Sequence, residues 1–222
     1  MTLTLTTFPR LLTICFALSL GAHASAWSQT DPNLTVNAQL LVAARQGDAE
    51  AVKKSLDRGA MPNSRNRLGK TTLFLAIEKN RMDIVQTMVN AGADVNLPSL
   101  EKVTPLIAAA YSGNAEIVKL LIDKGAKLEE VDRLRKSALV YAAGMGHTLA
   151  VEHLLAAGAR VDAAYVDGLT PLMWAAGQGH AEAVKLLLAK GADKSLKDER
   201  GLTALDMAKQ AAHTAVVPLL QN

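Results

Sequence analysis

TPLIAAAYSGNAEIVKLLIDKG, residues 104–125, carries the start and stop signals of two short helices. Thr104 offers a hydroxyl that can cap a helix, and Pro105 stands at the first helical position, where its missing N–H costs nothing. Gly113 breaks this helix after about two turns, so the chain must turn back on itself. A second helix follows and ends at Gly125, a residue type that readily takes the left-handed conformation found at helix ends. The segment therefore predicts a helical hairpin.

Both predicted helices are apolar along one side. On the first, Leu106, Ala109 and Ala110 lie three and four residues apart. On the second, from about Ala115 to Lys124, the apolar stripe is broader. Helices this short are marginal in water, so each hairpin is expected to be stable only when stacked on its neighbours.

The same pattern recurs with a period of 33 residues, without insertion or deletion, from about Asn37 to the end of the chain. The repeated positions are six alanines (Ala43, Ala76, Ala109, Ala142, Ala175, Ala208), six leucines (Leu40, Leu73, Leu106, Leu139, Leu172, Leu205), six valines (Val52, Val85, Val118, Val151, Val184, Val217) and five glycines (Gly59, Gly92, Gly125, Gly158, Gly191). The alanines are small enough for neighbouring helix pairs to approach to about 8–10 Å between axes. Half of the residues are hydrophobic and only 4% are aromatic, which also favours helices.

These observations predict an all-α solenoid of about six helix–turn–helix units, caps included. The units are expected at residues of about 33–65, 66–98, 99–131, 132–164, 165–197 and 198–222.

Three segments carry a family resemblance: Thr104 to Ala109, Thr170 to Ala175 (TPLMWA) and Gly92 to Asn96 (GADVN). They resemble the ankyrin repeat family, whose unit of about 33 residues carries Thr-Pro-Leu-His-x-Ala at its first helix. The likeness covers residues of roughly 35 to 222, and within the family the chain looks similar to exported bacterial members. The resemblance implies helix pairs joined by hairpin-like loops, and a protein that binds other proteins without a cofactor.

Departures from the family pattern give further expectations. Lys102 and Arg135 replace a loop glycine that is present at Gly69, Gly168 and Gly201, so those two loops are expected to be less regular. Pro218 falls inside the last predicted helix, where it removes a backbone hydrogen bond and crowds the preceding turn. A distorted or frayed end is expected there. The residues that replace the family's proline are Thr72, Ala138 and Ala204.

The N-terminus has the form of a signal peptide. Arg10 supplies a positive charge, Leu11 to Leu20 form an apolar run too short to span a bilayer, and small residues follow. We expect residues 1–24 to be removed by cleavage after Ala24, with Ala26 as the alternative, leaving a polar linker at 25–34. A lipoprotein at Cys15 is the other alternative, although the bulky Ile14 disfavours it. Export to the periplasm is expected, with secretion as the alternative.

The mature chain is predicted to carry no thiol and little net charge. The full chain has one cysteine, and it lies in the signal segment together with one basic residue. Removal of that segment lowers the net charge from +3 to about +2. Acids and bases are interspersed, which disfavours binding to nucleic acid. We expect a monomer that does not insert into the membrane after cleavage.

Few residues suggest chemistry. His147, His180 and His213 are one period apart, but units about 10 Å apart cannot share a metal ion whose bonds to nitrogen are about 2.1 Å long. The histidines are therefore expected to bond nearby backbone. Trp174 is expected in the core. Met145 is expected either to pack in the core or to bind a partner. The sequence shows no phosphate loop, serine elbow or metal motif, so we expect no catalytic residue, no metal and no cofactor.

A partner-binding surface is expected where the loops and first helices of the middle units combine apolar and charged residues. The candidates are Leu100, Val103, Tyr111, Arg133, Lys136, Met145 and Val166. The alternative is that some of these loop residues, Leu134 and Leu169 in particular, pack on the next unit. The expected function is a protein–protein interaction module of the bacterial envelope that stabilises or regulates one partner. A secreted effector that binds a host protein is the first alternative, and an enzyme is a remote one.

Overall fold

The computed structural model describes residues 35–221, which belong to one unit of the chain that extends over residues 33–222. The predicted signal peptide, Cys15 and the linker lie outside the described residues and stay predictions. The described part has twelve α-helices: α1 (Val36–Gln46), α2 (Ala49–Asp57), α3 (Thr72–Glu78), α4 (Met82–Asn90), α5 (Pro105–Ser112), α6 (Ala115–Asp123), α7 (Ala138–Gly144), α8 (Thr148–Ala156), α9 (Pro171–Gly177), α10 (Ala181–Ala189), α11 (Ala204–Gln210) and α12 (Val217–Gln221). A single 3-10 turn lies at Val166–Gly168.

Each odd-numbered helix packs on the even-numbered helix that follows it, which makes six pairs, numbered here as units one to six. The odd-numbered helices also contact one another in sequence, from α1 through α11. Contacts therefore run mainly between neighbouring units, as in a solenoid. The prediction of an all-helical repeat solenoid is confirmed.

The core runs along the stack and is built from the repeated residues. All six marker alanines are buried, with exposures of 0–3%. Five of the marker leucines and five of the marker valines are buried in the same way. In the sixth unit, however, Leu205 and Val217 are only partly buried, and Val216 is buried instead.

The first helices begin at hydroxyl caps in most units. Thr104 Oγ1 accepts the backbone N–H of Ile107 at 3.2 Å, and the threonines at 71, 170 and 203 do the same three residues ahead. Ser137 makes no such cap, and its hydroxyl lies 2.7 Å from that of Tyr165. Burial raises the pKa of Tyr165 to about 12, so this link joins two neutral hydroxyls. Unit four is thus tied to the loop of unit five.

The loops that precede units two to six share one turn at the position of Gly69, so the expectation of less regular loops at Lys102 and Arg135 is wrong. Both residues take the left-handed backbone conformation, with φ of 59° and 57°, as Gly69 does with 71°. The backbone N–H of each donates to the carbonyl three residues back, at 3.0 Å for Lys102 and 2.9 Å for Arg135. Stacking of adjacent loops holds the turn even where glycine is missing.

The last unit is distorted, as Pro218 predicts. The second helix has nine residues in units one to five and five residues in unit six. Here the helix begins at Val217, so Pro218 lies in its first turn, where the missing N–H is tolerated. The preceding turn contains Ala212 in a left-handed conformation.

Candidate functional site

The three equivalent histidines tie each unit to the one before it. His147, His180 and His213 place Nε2 at 3.1, 3.0 and 3.1 Å from the carbonyl oxygens of Tyr111, Gly144 and Gly177. A carbonyl only accepts, so each Nε2 carries a proton and donates it. The expectation that the histidines bond backbone is confirmed, and the partner lies 36 residues earlier, in the preceding unit.

The same position in earlier units also bonds the preceding unit, through other donors and acceptors. Arg81 donates to the carbonyl of Gly47, and the side chain of Asn114 bonds that of Asn80. We call these residues, at 81, 114, 147, 180 and 213, the hairpin ladder. They bind the hairpin turns to one another along one edge of the stack.

Tyr111 on α5 and Lys136, in the loop before α7, both contact the ring of Tyr141 on α7. The rings of Tyr111 and Tyr141 meet edge to face, with centroids 5.6 Å apart and planes at 84°. Lys136 Nζ lies 4.1 Å from the ring centroid of Trp174 and 5.5 Å from that of Tyr141, both within cation–π range.

Asp132 holds this arrangement in place. Its Oδ2 accepts the hydroxyl proton of Tyr141 at 2.5 Å, and its Oδ1 accepts the backbone N–H of Lys136. Burial lowers the pKa of Lys136, and the negative charge of Asp132 acts in the opposite direction. Burial and the bond to Asp132 both raise the pKa of Tyr141. The tyrosine is therefore a neutral donor with a fixed ring.

Met145 lies four residues after Tyr141, on the same side of that helix, and is 44% exposed. Tyr111 is 55% exposed, whereas Tyr141 and Trp174 are half-buried beneath. We call Tyr111, Lys136, Tyr141, Met145 and Trp174 the aromatic face. It combines two exposed apolar side chains with two rings and a cation that are already positioned.

Leu100, Arg133 and Val166 lie apart from the aromatic face, at the tips of the loops. Adjacent tips are joined by backbone hydrogen bonds, from Leu100 N to Leu68 O at 3.0 Å and from Arg133 N to Glu101 O at 3.1 Å. The tips of units two to five form what we call the loop ridge, residues 67–69, 100–102, 133–135 and 166–168.

The packing alternative is right for one loop residue and wrong for another. Leu169 is half-buried and packs on the core, but Leu134 is 60% exposed at its tip. Val103 also packs on the core and is only partly exposed.

The prediction that Trp174 belongs to the core holds for only part of the side chain. One edge of the indole packs on Gly144, where a Cβ atom would lie 3.0 Å from Cε3 of the ring. The other side is covered by Lys136, and among the described residues Nε1 is buried without a hydrogen-bond partner. The sequence does contain a signal for this, since the residue that faces the indole is a glycine, Gly144.

The contact with Trp174 predicts that Gly144→Ala and Gly177→Ala have different effects on stability. Both glycines end a first helix, where alanine is normally more stable by about 0.5–1 kcal/mol. At Gly177 the nearest atom to a new Cβ is at 3.7 Å, an ordinary contact, so the gain is expected there. At Gly144 the indole must shift, so we expect no gain and a change in tryptophan fluorescence. Urea denaturation of the two variants measures the difference, and equal gains would contradict the packing described.

The described residues offer no other obvious site. Within residues 35–221, no group of three or more histidine, cysteine, aspartate or glutamate side chains is placed to hold a metal ion. In the same range, every helix is too short or too polar to cross a bilayer.

Comparison with known proteins identifies the repeat. The family described as "Ankyrin repeats (3 copies)" matches residues 40–132, 92–165 and 139–222, which together extend over most of the chain. No curated protein matches this chain. The helix pairs, their period and this match agree, and the chain belongs to the ankyrin repeat family.

Proposed function

We propose that this protein is exported to the bacterial periplasm, where it binds one partner protein and stabilises or regulates it. Ankyrin repeats are in general protein–protein interaction modules. The observation that carries the proposal for this chain is the aromatic face, on which Tyr111 and Met145 are exposed above ordered aromatic rings.

The chemistry of the aromatic face suits a binding interface. Tyrosine and tryptophan contribute a large share of binding energy at interfaces, and methionine adapts to irregular partners. The ring of Tyr111 is already held against that of Tyr141, so binding costs little side-chain entropy. Both exposed side chains are on adjacent units and can contact one partner.

The proposal of export rests on the N-terminal pattern of Arg10, the apolar run and the small residues after it. We propose that no catalytic residue, metal or cofactor takes part. The alternative of a secreted effector differs in one observable respect, because that protein accumulates in the culture medium.

We predict that the double variant Tyr111→Ala, Met145→Ala loses its partner. The full chain with a carboxyl-terminal affinity tag is produced in the organism that encodes it, cross-linked in whole cells and recovered from the osmotic-shock fraction. Mass spectrometry is expected to identify one partner recovered with the original protein. The variant is expected to bind that partner about thirtyfold more weakly.

Met61→Ala serves as the matched control, because Met61 is 61% exposed but lies outside the aromatic face. It is expected to retain the partner. Equal recovery with all three proteins would contradict the binding role of the aromatic face, and retention of the protein in the cytoplasm would contradict export.

A further inference from the structure

Two basic residues occupy a backbone conformation that favours glycine. The equivalent loop position is Gly69, Gly168 and Gly201 in three units, and all three have positive φ. Lys102 and Arg135 take the same conformation in units three and four, with φ of 59° and 57°. A side chain with a Cβ atom is strained there, and non-glycine residues held in this region cluster at functional sites.

Stacked loops hold this turn, but no side-chain contact within residues 35–221 explains why a basic residue stands at either position. Lys102 and Arg135 are both exposed, and within residues 35–221 neither side chain makes an ion pair or a hydrogen bond. As far as the described residues show, their charged groups are available to a ligand.

Exposed leucines accompany the two bases on the loop ridge. Leu100 and Leu134 are 56% and 60% exposed and lie next to them in the same tips. Leu68 at the tip of unit two is equally open, at 61%. Leucine at three neighbouring tips gives the ridge an apolar component that the solvent-exposed loops of a monomer do not need.

The charge of the ridge is one-sided over units two to four. Arg133 pairs with Glu101 at 3.2 Å, which uses the one acid of these tips. Arg67, Lys102 and Arg135 are exposed and have no acidic partner among the described residues. The tips of units five and six instead present Asp167 and Glu199. A complementary ligand for units two to four is therefore acidic.

We propose that the loop ridge of units two to four binds an extended acidic segment of a partner protein. Carboxylates of the segment pair with Lys102 and Arg135, and its apolar side chains pack on Leu100 and Leu134. Units lie about 8–10 Å apart and an extended chain rises about 3.3 Å per residue, so one acid in every three residues matches successive tips. This inference rests on the proposed protein-binding function and names the chemistry of the partner.

The test uses the protein purified from a strain that expresses the full chain, and two fluorescein-labelled peptides. One peptide repeats Glu-Leu-Ser four times, and the other has Gln in place of Glu. Fluorescence anisotropy is expected to show binding of the first peptide only, weakened by added salt.

Two pairs of substitutions separate charge from strain. Lys102→Gln with Arg135→Gln removes both charges and keeps the left-handed side chains, and is expected to weaken peptide binding about tenfold with an unchanged Tm. Lys102→Gly with Arg135→Gly is expected to weaken binding equally but to raise Tm by about 2–4 °C per substitution, since glycine relieves the strain. Lys124→Gln with Lys190→Gln, at exposed ends of second helices, removes the same charge elsewhere and is expected to change neither quantity.

Equal binding of the two peptides, or full binding by the Lys102→Gln, Arg135→Gln variant, would overturn the inference. An unchanged or lowered Tm in the glycine variant would overturn it as well, because the strain argument would be lost. If the peptide test fails but the Tyr111→Ala, Met145→Ala variant still loses its cellular partner, the proposed function stands. Failure of both experiments removes the function too.

Discussion

Gly146→Ala is expected to lower the free energy of unfolding by about 2–5 kcal/mol, the sum of a strained backbone and an overpacked contact. Gly146 has φ of 73°, and a Cβ atom there would lie 2.5 Å from Nδ1 of His180. The imidazole cannot easily move away, because its Nε2 bonds the carbonyl of Gly144 at 3.0 Å. Chemical denaturation with urea measures the loss.

Gly125→Ala is the matched control for this substitution. Gly125 has φ of 82°, but nothing lies within 4 Å of its Cβ position, so only the backbone cost of about 1–2 kcal/mol is expected. Removing the ring with His180→Ala in the Gly146→Ala background is expected to recover the difference between the two glycine variants. A double-mutant cycle without such coupling would show that the ring is not the obstacle.

Leu106→Ala is expected to cost about 2–5 kcal/mol, because it opens a cavity in the continuous core. Leu106 is 1% exposed on α5, a helix that packs on α3, α6 and α7. Tyr111→Ala, five residues later on the same helix, removes one ring contact at the surface and is expected to cost about 1 kcal/mol. Urea denaturation of both variants makes the comparison. Equal losses would mean that Tyr111 belongs to the core and not to a binding surface.

The period of 33 residues was sufficient to predict the fold, because the repeated positions are the packing positions. Ala109 and Val118 recur in every unit and are buried in units one to five, since only small and branched residues fit between helix pairs in close contact. The distortion of the last unit could also be predicted from the sequence. Pro218 cannot stand in the middle of a helix, and the last helix begins one residue before it.

Contacts between units were harder to predict, since they join residues 28 to 36 positions apart. The sequence indicated that His147 bonds backbone, but not that its acceptor is Tyr111 in the preceding unit. The loop at Lys102 was expected to be irregular from its missing glycine, yet hydrogen bonds between neighbouring tips hold it in the common turn. Local preference is overridden there by stacking.

The candidate site was predictable in its location and not in its arrangement. Tyr111 and Lys136 were both expected at the surface, but their connection depends on Tyr141 and Trp174, which look like core residues in the sequence. Whether a large side chain is fully buried or stays partly exposed depends on the size of the residue opposite, which for Trp174 is Gly144.

The hairpin ladder has a direction that bears on how the protein is made. In every link the ladder side chain belongs to the later unit and reaches back to the earlier one, from Arg81 onward. When the chain emerges amino end first, each newly emerged unit therefore carries the group that secures the one already formed. Assembly can follow that emergence one unit at a time, and a chain halted part-way leaves its final hairpin without that bond.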